Sequence, residues 1–208
     1  MDLSQNIRFI KIENCMHNDL RDYIEAKIQI PEEAYTQFLS NFEEIELKKK
    51  DHLLQEGKIC RNYFFIKSGL LRTYYINHKG KEVITSFAIE RWWVTDVESF
   101  FSQKPSHVYI QALEATQLLA ISYESLEKVY REIPIINNLF RLITQNTLVA
   151  FQRRHNVYLK MSSKERYEAI RKQIPEFIQR IPQHMLASYL DITPEYLSEL
   201  RRKWCFIS

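Results

Sequence analysis

The apolar and polar positions change texture along the chain. From Asp19 to Phe42, acidic residues alternate with Tyr23, Ile24, Ile28, Tyr35, Phe38 and Leu39. Pro31 divides this stretch into two predicted helices, the second starting near Pro31-Glu32-Glu33. From Ile45 to about Ser122 the pattern is that of strands. Tyr63–Ile66, Leu70–Ile76, Val83–Phe87, Val108–Leu113 and Gln117–Ser122 are rich in aromatic and β-branched residues between breakers. Gly57, Gly69 and Gly80 mark turns, and Asn77-His78-Lys79-Gly80 reads as a hairpin loop with Gly80 in the positive-φ position. Many short strands at this spacing predict a closed or rolled antiparallel sheet.

Helical patterns return after Ser122. Tyr123–Tyr130 is a short helix, and after Pro134 a long one runs to about Lys160, a rod on the order of 40 Å. Ile136, Ile143, Ala150 and Val157 recur every seven residues, with Phe140 and Thr147 on neighbouring seam positions. This spacing predicts a coiled-coil dimer seam; a helix packed on its own domain is the other reading. Ser162-Ser163-Lys164-Glu165 has capping-box spacing, so a new helix starts there. Its apolar residues Tyr167, Ile170 and Ile174 are expected to pack on the C-terminal helices, with a domain boundary near Met161.

The stretch QHMLASYLDITPEYLSELRR (Gln183–Arg202) has the pattern of a helix-turn-helix. Leu186, Leu190, Ile192, Leu197 and Leu200 supply inward apolar positions, and Ala187 supplies a small residue where two helices cross. Pro194 suits the first helical position, and Thr193 before it can cap free N–H groups. The second helix would present Glu195, Tyr196, Ser198, Glu199 and Arg202 outward, as a major-groove reading helix does. Gln183 and His184 start the first helix, and Arg201, Arg202 and Lys203 can meet phosphates. An ordinary helical hairpin closing a domain is the competing reading.

Composition adds bounds. The 208 residues carry a net charge of +3, unevenly spread. From Ala150 onward there are 11 Lys and Arg against 6 Asp and Glu; the remainder has 18 against 20. A basic end beside a near-neutral body suits a phosphate-backbone partner. Three distant cysteines, Cys15, Cys60 and Cys205, argue against a disulfide framework and fit a reducing cytoplasm. No apolar run approaches a membrane span, and the N-terminus carries no uninterrupted apolar segment of a secretory signal. The six histidines are scattered without i,i+4 spacing, so neither a metal site nor a cofactor is expected. No GxxxxGK[ST], HExxH or GxSxG motif is present, which argues against an enzyme.

The segments FFIKSGLLRTYYINHKGKEV (64–83), AIERWWVTDVESFF (88–101), SYESLEKVYREIP (122–134) and QHMLASYLDITPEYLSELRRK resemble the Crp/Fnr superfamily of bacterial transcription regulators, over nearly the whole chain. MSSKERY and ITPEYLS are similar to phrases of its short Bacteroidetes-type members. The resemblance implies an α+β fold: an N-terminal antiparallel, jelly-roll-like β-roll with flanking helices (1–132), a long dimerisation helix (133–161) and a small helix-turn-helix domain (162–208). It implies a homodimer on a palindromic promoter site in double-stranded DNA, with RNA polymerase as a further partner and a small-molecule effector.

Cyclic-nucleotide sensors of this superfamily carry Gly-Glu and, about ten residues on, Arg-Ser or Arg-Thr. Here Thr95-Asp96 and Ser106-His107 stand instead, with Asn146 and Thr147 on the long helix completing a degenerate pocket. Ser106 offers one neutral donor where a bidentate cation should be. Trp92, Trp93, Phe100, Phe101 and Tyr109 are expected to fill the space. The chain is therefore expected not to bind cyclic AMP. The alternative to a DNA-binding regulator is a β-roll sensor or scaffold acting through a protein partner.

Overall fold

The computed structural model describes residues 8–10, 18–173 and 175–205. Helices α1 (Asn18–Glu25) and α2 (Glu32–Leu39) are separated at Pro31. The strands are β1 (Arg8–Ile10), β2 (Glu43–Leu47), β3 (His52–Leu54), β4 (Asn62–Ser68), β5 (Leu71–Ile76), β6 (Glu82–Ala88), β7 (Trp93–Val94), β8 (Tyr109–Ala112) and β9 (Thr116–Ser122). Helix α3 (Val97–Ser102) interrupts them; α4 (Tyr123–Glu132) and α5 (Ile135–Lys160) come next. The C-terminal helices are α6 (Ser163–Gln173), α7 (Pro175–Arg180), α8 (Gln183–Leu190) and α9 (Pro194–Cys205).

The rolled sheet is a pair of antiparallel sheets, ordered β1-β2-β9-β4-β7 and β3-β8-β5-β6. Strand alternation sends side chains to opposite faces. From β4, Phe64 and Ile66 enter the space between the sheets, while Tyr63 and Phe65 face the helices outside; β9 divides Leu118 and Ala120 from Leu119 and Ile121 in the same way. The continuous apolar run Tyr63–Ile66 arises because both faces of the first sheet are covered. The second sheet repeats this. Leu71, Ala88, Ile110 and Ala112 point inward, and Tyr74, Ile84 and Phe87 lie under the C-terminal helices. The result is helices, sheet, sheet, helices.

The predicted caps form. The Ser162 amide donates to Glu165 Oε2 at 2.8 Å and the Glu165 amide to Ser162 Oγ at 3.4 Å. Asn77 Oδ1 accepts from the amides of Lys79 (2.9 Å) and Lys81 (3.1 Å), and Gly80 turns the hairpin at φ 72°. Tyr167 is buried and Ile170 half-buried in the C-terminal core; Ile174 lies outside the described residues.

The seam on α5 needs correcting. Ile136, Phe140 and Ile143 are buried, at 0%, 5% and 3% exposure, in the protomer's own helical layer. The Phe140 ring meets Trp93 at 5.3 Å, Tyr130 at 5.6 Å and Tyr63 at 5.8 Å. These positions face β4 and α4 of the same chain and are closed to a partner. Thr147 and Ala150 are exposed, and the Val157 side chain lies outside the described ones. Among the described residues, the large exposed apolar side chains of α5 are instead Leu148, Val149, Phe151 and Leu159. Among the described residues no helix is long and apolar enough to cross a membrane.

Candidate nucleic-acid interface and degenerate effector pocket

Helices α8 and α9 pack through Leu186, Ala187, Leu190, Leu197 and Leu200, each no more than 2% exposed. Between them Asp191 takes the left-handed conformation, φ 56° and ψ 49°. A short polar side chain tolerates that region better than most. The Tyr196 amide donates to Thr193 Oγ1 at 3.2 Å, the cap expected before Pro194.

The outward face is open. His184, Thr193, Glu195, Tyr196, Ser198 and Arg202 are exposed. Gln183 is half-buried; its amide bonds the Ser198 hydroxyl and the Pro194 carbonyl, linking the start of α8 to α9. Two predicted contacts depart from the outward reading. Arg201 is half-buried and donates to the Ile178 carbonyl at 3.3 Å. Glu199 is likewise half-buried. The Lys203 side chain lies outside the described ones.

Sequence reasoning missed how this unit sits on the β-roll. The outer face of the second sheet packs Leu70, Tyr74, Ile84, Phe87 and Leu113 against Ile178, Ile181 and α8. Tyr189 meets Phe87 edge-on at 5.2 Å, and Arg154 of α5 lies over the Tyr189 ring at 4.5 Å. Ser188 Oγ accepts from the Ile84 amide and donates to the Glu82 carbonyl, both at 3.4 Å, so it meets the backbone of edge strand β6. Arg180 bonds Glu90 with both Nη atoms, at 2.9 and 2.7 Å, and Glu114 through Nη2. Glu90 also accepts from the Gly69 amide at 2.9 Å. Burial alone would raise the Glu90 carboxyl, but the bonds from Arg180 and the backbone outweigh it and hold it below its ordinary value. The partners of Arg180 and Ser188 are 66 to 106 residues away, so no local pattern announces them.

On the same sheet Arg72 is 5% exposed. It donates to Gln111 at 2.9 Å, pairs with Glu82 and lies over the Tyr74 ring at 4.1 Å. His52 Nε2 is 3.0 Å from the Tyr74 hydroxyl; burial, then the Arg72 charge, lowers its pKa.

The effector-pocket residues form no such constellation. Asp96 starts α3 and makes no side-chain cap. Ser106 is buried, its hydroxyl accepting from the Val108 amide at 3.0 Å and donating to the Val108 carbonyl at 3.2 Å. Ser99 accepts from the Cys60 amide at 2.9 Å and donates to the Lys104 carbonyl. Thr95 donates to the Asn62 carbonyl at 3.0 Å. The hydroxyls around α3 are thus engaged with the surrounding backbone. His107, Asn146 and Thr147 are exposed, and Thr147 Oγ1 turns back to the Ile143 carbonyl.

The expected aromatic filling is also corrected. Trp93 and Phe100 join the helical layer outside the first sheet, Trp92 (46%) and Phe101 (49%) are exposed, and Tyr109 stacks on Tyr74 against the second sheet. The space between the sheets holds mainly aliphatic side chains with Phe64 and Cys60. Among the described residues no group of three His, Cys, Asp or Glu is placed to hold a metal ion.

Known proteins share both the sequence and the fold. Residues 44–132 match the cyclic nucleotide-binding domain. The chain is 26% identical over 166 residues to the regulatory protein HlyX of Actinobacillus pleuropneumoniae, covering 74% of this chain and 68% of that protein. It is 25% identical over 165 residues to the fumarate and nitrate reduction regulatory protein of Vibrio cholerae, covering 74% and 65%. It thus spans about two thirds of the length of each. The c-di-GMP-responsive global regulator CLP of Xanthomonas campestris has a similar fold, with a TM-score of 0.66 at 15% identity over 84% of this chain and 91% of that one. The chain thus carries a cyclic nucleotide-binding domain and is similar in sequence to Fnr-type regulators and in fold to Crp-like ones.

Proposed function

We propose that the chain is a homodimeric, cytoplasmic, DNA-binding transcription regulator that does not respond to cyclic AMP. The observation that carries this reading is the C-terminal pair of helices: α9 is anchored by Leu197 and Leu200 while Glu195, Tyr196, Ser198 and Arg202 stand open. Such a helix fits the major groove, with the start of α8 against the backbone. Residues 1–132 are the sensor unit, 133–161 the dimer helix and 162–208 the DNA-binding unit.

The dimer contact falls on the second half of α5. Leu148, Phe151 and Leu159 are 56%, 67% and 67% exposed. At about 100° per residue they lie within roughly 80° of arc, about a quarter-turn from the face carrying Ile136, Phe140 and Ile143. Two copies of this apolar stripe bury each other and set two reading helices for adjacent half-sites.

The chemistry around α3 argues against cyclic AMP. Ser106 has its hydroxyl engaged by Val108, and no arginine stands beside it in sequence to grip a cyclic phosphate. Calorimetric titration should give no binding heat; micromolar affinity would overturn this part.

Gel shift across a salt series tests the whole. A duplex from upstream of the chain's own gene should be bound with sequence dependence and a steep salt slope. Binding that ignores sequence, or none at low salt, would leave the β-roll as a sensor acting through a protein partner.

A further inference from the structure

Beside the apolar packing, two sets of polar contacts hold the C-terminal helices on the β-roll, and neither uses Glu195, Tyr196, Ser198 or Arg202. One is Ser188 on the edge strand β6. The other gathers three separate turns of the β-roll around a single guanidinium. Glu90 follows β6, Glu114 lies between β8 and β9, and Gly69, between β4 and β5, donates its amide to Glu90. Arg180, at the last residue of α7, is three residues from the start of α8. Its two Nη atoms engage both Glu90 oxygens, a fork that fixes orientation as well as distance. A lysine ammonium has no such plane.

The clamp matters because the covalent link is slender. Only Met161 and Ser162 separate α5 from α6. A pair of reading helices must meet half-sites about 34–36 Å apart, so a swing of either unit about that link changes the spacing. We propose that Arg180 is a positioning residue for duplex recognition: by clamping Glu90 and Glu114 it sets the angle at which the helix-turn-helix leaves its own β-roll. This rests on the regulator reading above. Arg180 touches the β-roll, so its removal changes how well half-site spacing is discriminated and leaves non-specific phosphate binding in place.

The test uses the full-length chain and a duplex that it enriches from a randomised pool, remade with the spacer changed by one and two base pairs. The wild-type chain should lose about tenfold or more in affinity for the altered spacers, on the order of a mismatch in the site. Arg180→Ala should compress that ratio to about threefold or less, with unrelated duplex at low salt bound within about twofold of wild type. Glu90→Gln, on the β-roll and remote from α9, should move the ratio the same way, and Arg180→Lys should fall between. Hydrogen exchange should show faster exchange of the β6 amides in Arg180→Ala, with β4 and β9 unchanged. If spacing discrimination survives in both Arg180→Ala and Glu90→Gln, the positioning role is wrong although the regulator reading stands. If the wild-type chain enriches no duplex, the regulator reading falls and takes this proposal with it. An Arg180→Ala chain that does not fold leaves Glu90→Gln and Arg180→Lys to decide.

Discussion

Gly69 sits at φ 107°, where a Cβ would come within 2.7 Å of the Thr116 Cα and 2.8 Å of the Ala115 carbonyl. Gly69→Ala should therefore destabilise by more than the ~1–2 kcal/mol of left-handed strain alone, read as a fall in the urea midpoint. Gly80, at φ 72° with nothing within 4 Å, should cost about that strain and little more. Tyr63 offers a second test: burial pushes its hydroxyl up to about 12. Its folded value lies above the unfolded one, so its contribution is intact below pH 10 and is lost as pH rises through 12. Titration of tyrosine absorbance should show a fraction ionising well above the ordinary range; complete ionisation near pH 10 in folded protein would contradict the burial. At this scale much was legible in the residues. Thr193, Gly80 and the Ser162–Glu165 box act through atoms a few residues away, which is why a short sequence window sufficed to find them.

Helix α5 shows where that window fails. Its seven-residue repeat is genuine, but a repeat reports that one face is apolar, not what covers it. The first half is covered by α1, α2 and α4 of its own chain, whose large side chains fill the place of a partner. Ile143→Ala should thus cost about 2–5 kcal/mol of protomer stability. Phe151→Glu, on the exposed side, should leave thermal stability within about 0.5 kcal/mol at protomer concentrations and shift the chain towards monomer in sedimentation equilibrium. An Ile143 variant that dissociates without destabilising would reverse this assignment. Strands were read correctly in kind because β-branched and aromatic runs between breakers record local geometry. The two-sheet order depends on pairings such as β2 with β9, 69 or more residues apart, that alternation alone does not specify.

For the molecule as a whole, the contact between the C-terminal helices and the β-roll carries a pH dependence. Glu90 is held below its ordinary value of 4.5 when docked. A depressed carboxylate contributes fully above that value and loses its contribution as pH falls through the lower, docked one. Acidification below the ordinary carboxylate value of 4.5 should therefore expose the β6 edge and Tyr189 before the inner sheets open, seen as faster amide exchange at Ile84 ahead of Phe64. Simultaneous opening of both would rule out a separate docking step. High salt should weaken the clamp little, since Arg180 and both carboxylates are partly shielded from solvent.

Periodicity, breakers and caps were enough to name the longer elements, their order and the helix-turn-helix, because each is a property of residues within a turn or two of one another; the short β1, β3, β7, α3 and α7 carry too few residues for a pattern and went unread. The family resemblance added the expectation that Thr95-Asp96 and Ser106-His107 lack the groups a cyclic phosphate would need, which rests on residue identity alone. Which α5 face is closed by its own chain, where Trp93 and Phe100 pack, and that Arg180 reaches Glu90 and Glu114, were decided only by the tertiary structure. Those outcomes depend on which surfaces compete for the same apolar and charged groups in space, and chain distance carries no record of that competition.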